Sequence, residues 1–346
     1  MVLTLTPLPG MPEVRAGADL ASLLLAGVAE AGERLAAGDV LAVSSKVVSK
    51  SHGLWAPGDA DRDVVIAGET RRVVAERAAG ERVTRVVHSV AGPVMAAAGV
   101  DGSNTGGLEG LLLLPRDPDA AARDLRAALV AAGAPAPVGV VLTDTAGRPW
   151  RSGQTDFALG AAGLAVLDDL RGAGDADGRP LSVTARAIAD EIAAATDLVK
   201  GKADGVPAAL VRGAGAWVTE ADGAGAAGLV RTGREDWFGY GQAEAVRASL
   251  GIEPGTPAAT GCGIASVHSE PVGERVTRAV RVALHGLPGV GIDAGARDIR
   301  VSAPDPYLLG RAVARLEVAL WGEGIAAHVQ PVPSAALDAV IELREA

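Results

Sequence analysis

Two short runs, DVLAVSS (39–45) and VGVVLTD (138–144), constrain the fold more than anything else in this chain. Each is apolar at consecutive positions rather than at alternate ones, and each then breaks abruptly into hydroxyl and charged residues. A strand apolar on both sides needs cover on both faces, which helices normally provide. Segments with apolar residues at helical spacing lie where they can supply it, at 18–37, 118–133 and 183–201. Further strands at 2–7, 111–115 and 207–213 continue the alternation, which predicts an α/β fold with mixed sheets. ETRRVVAERAA (69–79) reads as another helix, and residues 81–104 as one or two strands followed by a turn of small polar residues.

With 346 residues, 49% of them hydrophobic, the chain can bury two cores. The Gly- and Ala-rich passage ADGAGAAGLVRTGRED (221–236) suggests a division into residues 1–238 and a small α/β domain at 239–346. The second part shows helices at 241–250, 272–285 and 305–322, a glycine-rich turn around Cys262, a strand at 298–303 and two short strands after 322. A formal charge of −10 argues against a nucleic-acid-binding surface, because backbone phosphates need a cationic patch. It does not exclude a nucleotide, since a few local cations can set the field in one cleft. No apolar stretch approaches the ~20 residues that cross a bilayer, and the opening MVLTLTPLPGMPEV carries no export signal. The one cysteine, Cys262, fits a reducing compartment, so a cytoplasmic protein is expected, with no membrane contact.

Several suggestive motifs fail. DTAG (144–147) occurs in a GTPase switch, but no G-x-x-x-x-G-K-[ST] phosphate loop accompanies it. Gly223 to Gly228 fits G-x-G-x-x-G, yet it follows AWVTEAD instead of a clean strand, in a composition where such matches arise by chance. Cys262 and His268 are too few for zinc, and the remaining histidines show no triad pattern.

Three constellations hold chemistry. In VLTDTAGRPWRSGQT (141–155), Asp144 ends a buried strand with the Thr145 hydroxyl beside it, a donor pair suited to a hard divalent cation. Arg148 and Arg151 can grip phosphate or carboxylate oxygens, and Gln154 adds neutral hydrogen bonds. AGVDGSNTGG (98–107) places Asp101 and Asn104 in a turn of small residues, where turn chemistry alone is an equally simple account. LVKGKADGVP (198–207) passes from a helix end through two lysines, with a dipole-favoured C-terminus as the plain alternative. SSKVVSK (44–50) adds Ser45, Lys46 and Lys50 after another strand. Acids on separate segments with cationic, glycine-rich loops suit nucleoside-triphosphate chemistry without a phosphate loop.

These blocks closely resemble the coenzyme F420-0:gamma-glutamyl ligase family. DTAGRPWRSGQT is similar to its D-T-x-G-R-P-W-R-x-G-Q-T block and AGVDGSN to its A-G-[IV]-D-x-S-N block; SSKVVSKSHG, residues 169–213 and the closing REDWF also fit, over about residues 1–238. The resemblance implies that family's fold and a homodimer. It also implies a GTP-dependent ligase, with F420-0 and L-glutamate as its small-molecule substrates. Two divalent sites, Mg²⁺ or Mn²⁺, and a potassium ion are the implied cofactors. Asp101 and Asp144 would hold one divalent ion and Thr145 a second. GTP would contact Met11, Pro12, Glu13, Val14, Ser45, Lys46, Lys50, Asn104 and the loop Lys200, Gly201, Lys202, Ala203, Asp204, Gly205, Val206 and Pro207. Arg148, Arg151 and Gln154 would assist the chemistry. The segment 83–98 departs from the family's pattern, which leaves open a different carboxylate acceptor, and a GTP- or metal-binding sensor without turnover is a further reading. The tail is too short for the nitroreductase-like domain that some relatives carry.

Overall fold

Val40, Leu41, Ala42 and Val43 are fully enclosed, and so are Val140, Val141 and Leu142. The two continuous apolar runs are therefore strands covered on both faces. The computed structural model describes residues 2–331, 333 and 337–344. The chain divides into two units, one running to Arg71 and from His88 to Thr232, the other from Arg72 to Val87 and from Gly233 onward.

The first unit is built on strands β1 (Thr4–Pro7), β2 (Val40–Ser44), β3 (Gly139–Arg148), β4 (Arg151–Ala162) and β5 (Ala208–Arg212). Their order is β1-β5-β2-β3-β4. Only β2 and β3 run parallel, registered from Val40–Gly139 to Ser44–Thr143; the other neighbours are antiparallel. Helices α1 (Leu20–Glu30), α2 (Ser45–Ser51), α3 (Pro118–Ala131) and α4 (Ile188–Lys200) belong to the same unit. Leu20, Leu24 and Val28 of α1 and Leu125 and Leu129 of α3 pack on Leu41, Val43, Val140, Leu142 and Leu210. On the opposite face Ile188, Ala189, Ile192 and Ala193 of α4 cover Val40, Val141, Ala158, Ala161 and Val211. Each fully enclosed leucine or isoleucine contributes about 2 kcal/mol of transfer free energy. The result is the α/β layering expected from the sequence.

Local signals set the helix ends. Asp19 accepts the Ser22 amide at 3.1 Å to start α1, and Asp117 accepts that of Ala120 at 2.8 Å, with Pro118 as the first residue of α3. Gly201, at φ +61°, terminates α4, a conformation costly for other residues.

Residues 69–79, expected as a helix, form instead a strand at Thr70–Ala79 that turns back along Arg82–Ser89. The β-branched Thr70, Val73 and Val74 favour extended backbone, and Val74 and Glu76 are buried two residues apart, the spacing of a strand. Glu76 is interior because Arg85 and the Gly255 amide engage its carboxylate, at 2.9 and 2.8 Å. The body of this hairpin, residues 72–87, belongs to the second unit. The break along the chain falls between Thr232 and Gly233, a few residues before the sequence-drawn limit at 238.

The second unit also contains helices α5 (Gln242–Ser249), α6 (Pro257–Cys262), α7 (Val272–Leu284) and α8 (Pro306–Gly322). Strands β6 (Gly291–Ala294), β7 (Asp298–Ser302), β8 (Ala326–Val329) and β9 (Asp338–Arg344) form an antiparallel sheet in the order β6-β7-β9-β8. Ile299, Val301 and Ile341 pack on Val276, Val282, Leu309, Leu316 and Leu320. The glycine-rich turn expected around Cys262 is the short helix α6, with the thiol buried. No helix among the described residues is long and apolar enough to cross a membrane.

Candidate active site

β2 stops at Ser44 while its parallel neighbour β3 continues, so a cleft opens where the paired strands diverge. Open α/β sheets commonly bind ligands at the carboxyl ends of parallel strands. The sequence placed Asp144 at a strand end; in the structure β3 runs on to Arg148, and Asp144 faces Phe157 and Thr145 faces Asp156 across a long hairpin. Asp144 nevertheless lies one residue beyond the last parallel pair, Ser44–Thr143. The chain after Ser44 folds at once into α2, which brings Lys46 and Lys50, one helical turn apart, to the cleft wall.

This cleft measures about 340 Å³. Met11, Pro12, Glu13, Val14, Lys46, Lys50, Asn104, Asp144, Thr145, Lys200, Gly201, Lys202, Gly205, Val206 and Pro207 all line it. Five segments far apart in the chain thus meet in one place. Ala203 and Asp204 belong to the same loop without lining the cleft. Ser45 and Asp101 line a smaller recess with Lys46, Ser49 and Asp144. Arg148, Arg151 and Gln154 lie elsewhere: they are exposed at the tip of the β3–β4 hairpin, around the two-residue turn Pro149-Trp150, and line neither space.

A chain of hydrogen bonds fixes the polar groups. Lys46 Nζ donates to Asp101 Oδ2 at 2.5 Å and to the Ser103 hydroxyl and carbonyl at 2.6 and 2.9 Å. Lys50 pairs with Glu13. Thr145 Oγ1 donates to Asp156 Oδ1 at 2.7 Å and accepts from Lys202 Nζ at 3.1 Å. Buried Lys200 bridges Asp156 Oδ2 and Thr143 Oγ1, at 2.8 and 2.6 Å. Asn104 Nδ2 reaches the Lys202 carbonyl at 3.4 Å.

Asp144 differs from its neighbours. Its one hydrogen bond among the described residues is from the Thr145 amide, at 2.9 Å, and no cation pairs with it. Burial pushes its carboxyl up to about 6, the Thr145 amide opposes this, and repulsion from Asp156 adds to it. Burial also raises Asp101, but the hydrogen bond from Lys46 and the Ser103 amide outweigh it and hold that carboxyl below the usual range. Ser45 and Ser49 hydroxyls, both buried, have no hydrogen-bond partner among the described residues.

Asp156, Thr143 and Asp197 also line the cleft and escaped the sequence reading. Asp156 carried a usable signal: it heads the run FALGAA just as Asp144 ends VGVVLT, a carboxylate at the mouth of buried sequence.

Residues 10–213 match the family described as F420-0:Gamma-glutamyl ligase. A protein of Halobacterium salinarum named coenzyme F420:L-glutamate ligase is 43% identical over 224 residues, covering 59% of this chain and 84% of the relative. Proteins of the same name from Natronomonas pharaonis and Methanothermobacter thermautotrophicus are 42% and 39% identical, covering 83% and 90% of their lengths and 59% and 62% of this chain. The chain belongs to the F420-0:gamma-glutamyl ligase family. It is an enzyme of the ligase class.

Proposed function

We propose that this chain joins L-glutamate to F420-0 as an amide, at the expense of GTP, in coenzyme F420 biosynthesis. The observation that carries the reading is Asp144, a carboxylate in no ion pair among the described residues, facing a cleft lined by Lys46, Lys50 and Lys202. Such a site has positive charge for phosphates on one wall and acid for a divalent ion on the other.

The residues fit divalent cations. Thr145 gives its proton to Asp156 and so turns oxygen lone pairs toward Lys202. Among the described residues no three His, Cys, Asp or Glu side chains cluster as a metal cage. Mg²⁺ and Mn²⁺ are commonly held by one or two carboxylates, with water and phosphate oxygen in the remaining positions. Asp101 and Asp144 would hold one ion and Thr145 a second; when bound, these ions would neutralise triphosphate charge and polarise the transferring phosphoryl group.

An amine does not displace oxide from a carboxylate, so the acceptor needs a better leaving group. Its carboxylate oxygen attacks the γ-phosphorus of GTP, giving an acyl phosphate and GDP. The glutamate amine then attacks the acyl carbon, phosphate leaves, and the surplus amine proton passes to solvent. Lys46, Lys50 and Lys202 hold the phosphates, and Asn104 braces the Lys202 loop against the Asp101 turn. Alignment does most of the work, since no covalent enzyme intermediate is required.

Incubation with F420-0, L-glutamate, GTP and Mn²⁺ should yield F420-0 heavier by one glutamyl residue in the mass spectrum, with stoichiometric GDP. GDP release with another carboxylic acid and none with F420-0 would reassign the acceptor.

A further inference from the structure

The first unit holds a second cleft, of about 480 Å³, larger than the one that contains Asp144. Both volumes lie within the range of small-molecule sites. Its walls are apolar: the loop 90–94, with Val90, Pro93 and Val94, and Phe157, Leu159 and Val230. Its rim carries three guanidiniums, Arg71, Arg116 and Arg231. Three acids also border it, but each already serves the backbone. Asp119 accepts the amides of Ala161, Ala226 and Ala227 at 2.8, 2.7 and 3.0 Å. Asp117 caps α3, and Asp190 accepts the Ala158 amide at 2.9 Å. Arg71 and Arg116 each place one nitrogen, on the Val90 carbonyl and on Glu69 respectively, from a fork with five donors. Cationic forks over an apolar floor select a molecule with a flat hydrophobic body and anionic substituents.

Strand β4 borders both clefts: Asp156 lines the first, and Phe157, Ala158 and Leu159 line the second. We propose that this second cleft binds the ring-bearing, anionic body of the carboxylate acceptor, while its carboxyl end reaches the Asp144 cleft along β4. The inference rests on the ligase reading above. It gives a role to the 83–98 segment, where the sequence departs from the family's pattern: residues 90–94 of that segment form a wall of this cleft.

Two variants test it without touching the Asp144 cleft. Arg116→Glu with Arg231→Glu reverses charge on the rim, and Val94→Trp fills the cavity from a partly exposed position. Binding of F420-0 is followed by its fluorescence, and KM is measured for all three substrates, with folding checked by circular dichroism. Each variant should weaken F420-0 binding and raise its KM about tenfold or more, with KM for GTP within about twofold of wild type. Either variant, folded and with wild-type KM for F420-0, overturns the assignment, as does a change of oligomeric state in place of the change in KM. Wild-type protein that neither binds nor converts F420-0 would instead remove the ligase reading and this inference with it.

Discussion

Asp144 and Asp156 stand on paired strands one residue out of register, and the fold treats them oppositely. Asp156 is buried with Lys200 and the Thr145 hydroxyl, so every charge has an answer. Asp156→Asn should destabilise the protein by about 3 kcal/mol, because it leaves the Lys200 ammonium buried without a counter-charge. A lowered urea midpoint at unchanged slope would show this, and an unshifted midpoint would refute it. Asp144 forms no ion pair among the described residues, although the charges of Lys202 and Lys46 reach it, so Asp144→Asn should keep the fold and melting temperature while turnover falls at least about a hundredfold. Near-wild-type turnover would remove the metal assignment. At this scale the sequence was informative where a carboxylate interrupts apolar residues, as at Asp144. It did not place Arg148 and Arg151, which stand at an exposed hairpin tip, because such a tip uses the same polar and turn-forming residues as a binding loop.

Elements succeed or fail by what packs on them. β4 bulges where Leu142 pairs with Gly160 and Thr143 with Ala158, and Gly160 lies against the start of α3. A Cβ at 160 would sit 2.3 Å from the Pro118 carbonyl oxygen, a backbone atom that cannot swing away. Gly160→Ala should therefore cost about 1–3 kcal/mol, read as a fall in melting temperature. The helix α7 poses an electrostatic problem. Arg278 is buried and makes a bidentate contact with Glu270, at 2.8 and 2.7 Å, while also binding Glu323, itself paired with Arg247. The hydrogen bonds from Arg278 hold the Glu270 carboxyl below its ordinary 4.5. A depressed carboxyl stabilises above the unfolded value and loses that contribution as pH falls through the folded one. Glu270→Gln should then melt below wild type at neutral pH, with the gap closing on acidification below about 4.5. A gap independent of pH would show that Glu270 is held by packing alone. The strands β2 and β3 were legible because double-sided burial leaves an unbroken apolar run. Thr70–Ala79 was not, because its buried Glu76 is compensated by Arg85 on the next strand and by Gly255 far along the chain, and a one-dimensional pattern carries no trace of that pairing.

The molecule as a whole is less linear than its sequence suggests. The hairpin body 72–87 leaves the first unit and completes the second: the Glu76 amide donates to Glu244 at 3.0 Å, Gly241 donates to the Val74 carbonyl at 2.9 Å, and Val267 to that of Ala78 at 2.9 Å. A composition shift near 221–236 could show where the chain passes between units once, but not an excursion of sixteen residues made much earlier, since nothing in the hairpin's own sequence says which partner it has. A physical consequence follows for truncation. A chain ending at Thr232 keeps the hairpin but loses those acceptors and donors, leaving backbone groups and Val74 without their cover. It should aggregate or melt well below the full-length protein. Replacing residues 72–87 with a two-residue Asn-Gly turn in the same truncated chain should restore a monodisperse, cooperatively melting species. The join is feasible because Glu69 and Val90 already face each other through a 2.8 Å backbone bond. Size-exclusion chromatography and thermal melts of the two truncated chains decide it: equal behaviour with and without the hairpin would mean that residues 72–87 do not depend on the C-terminal unit for their cover.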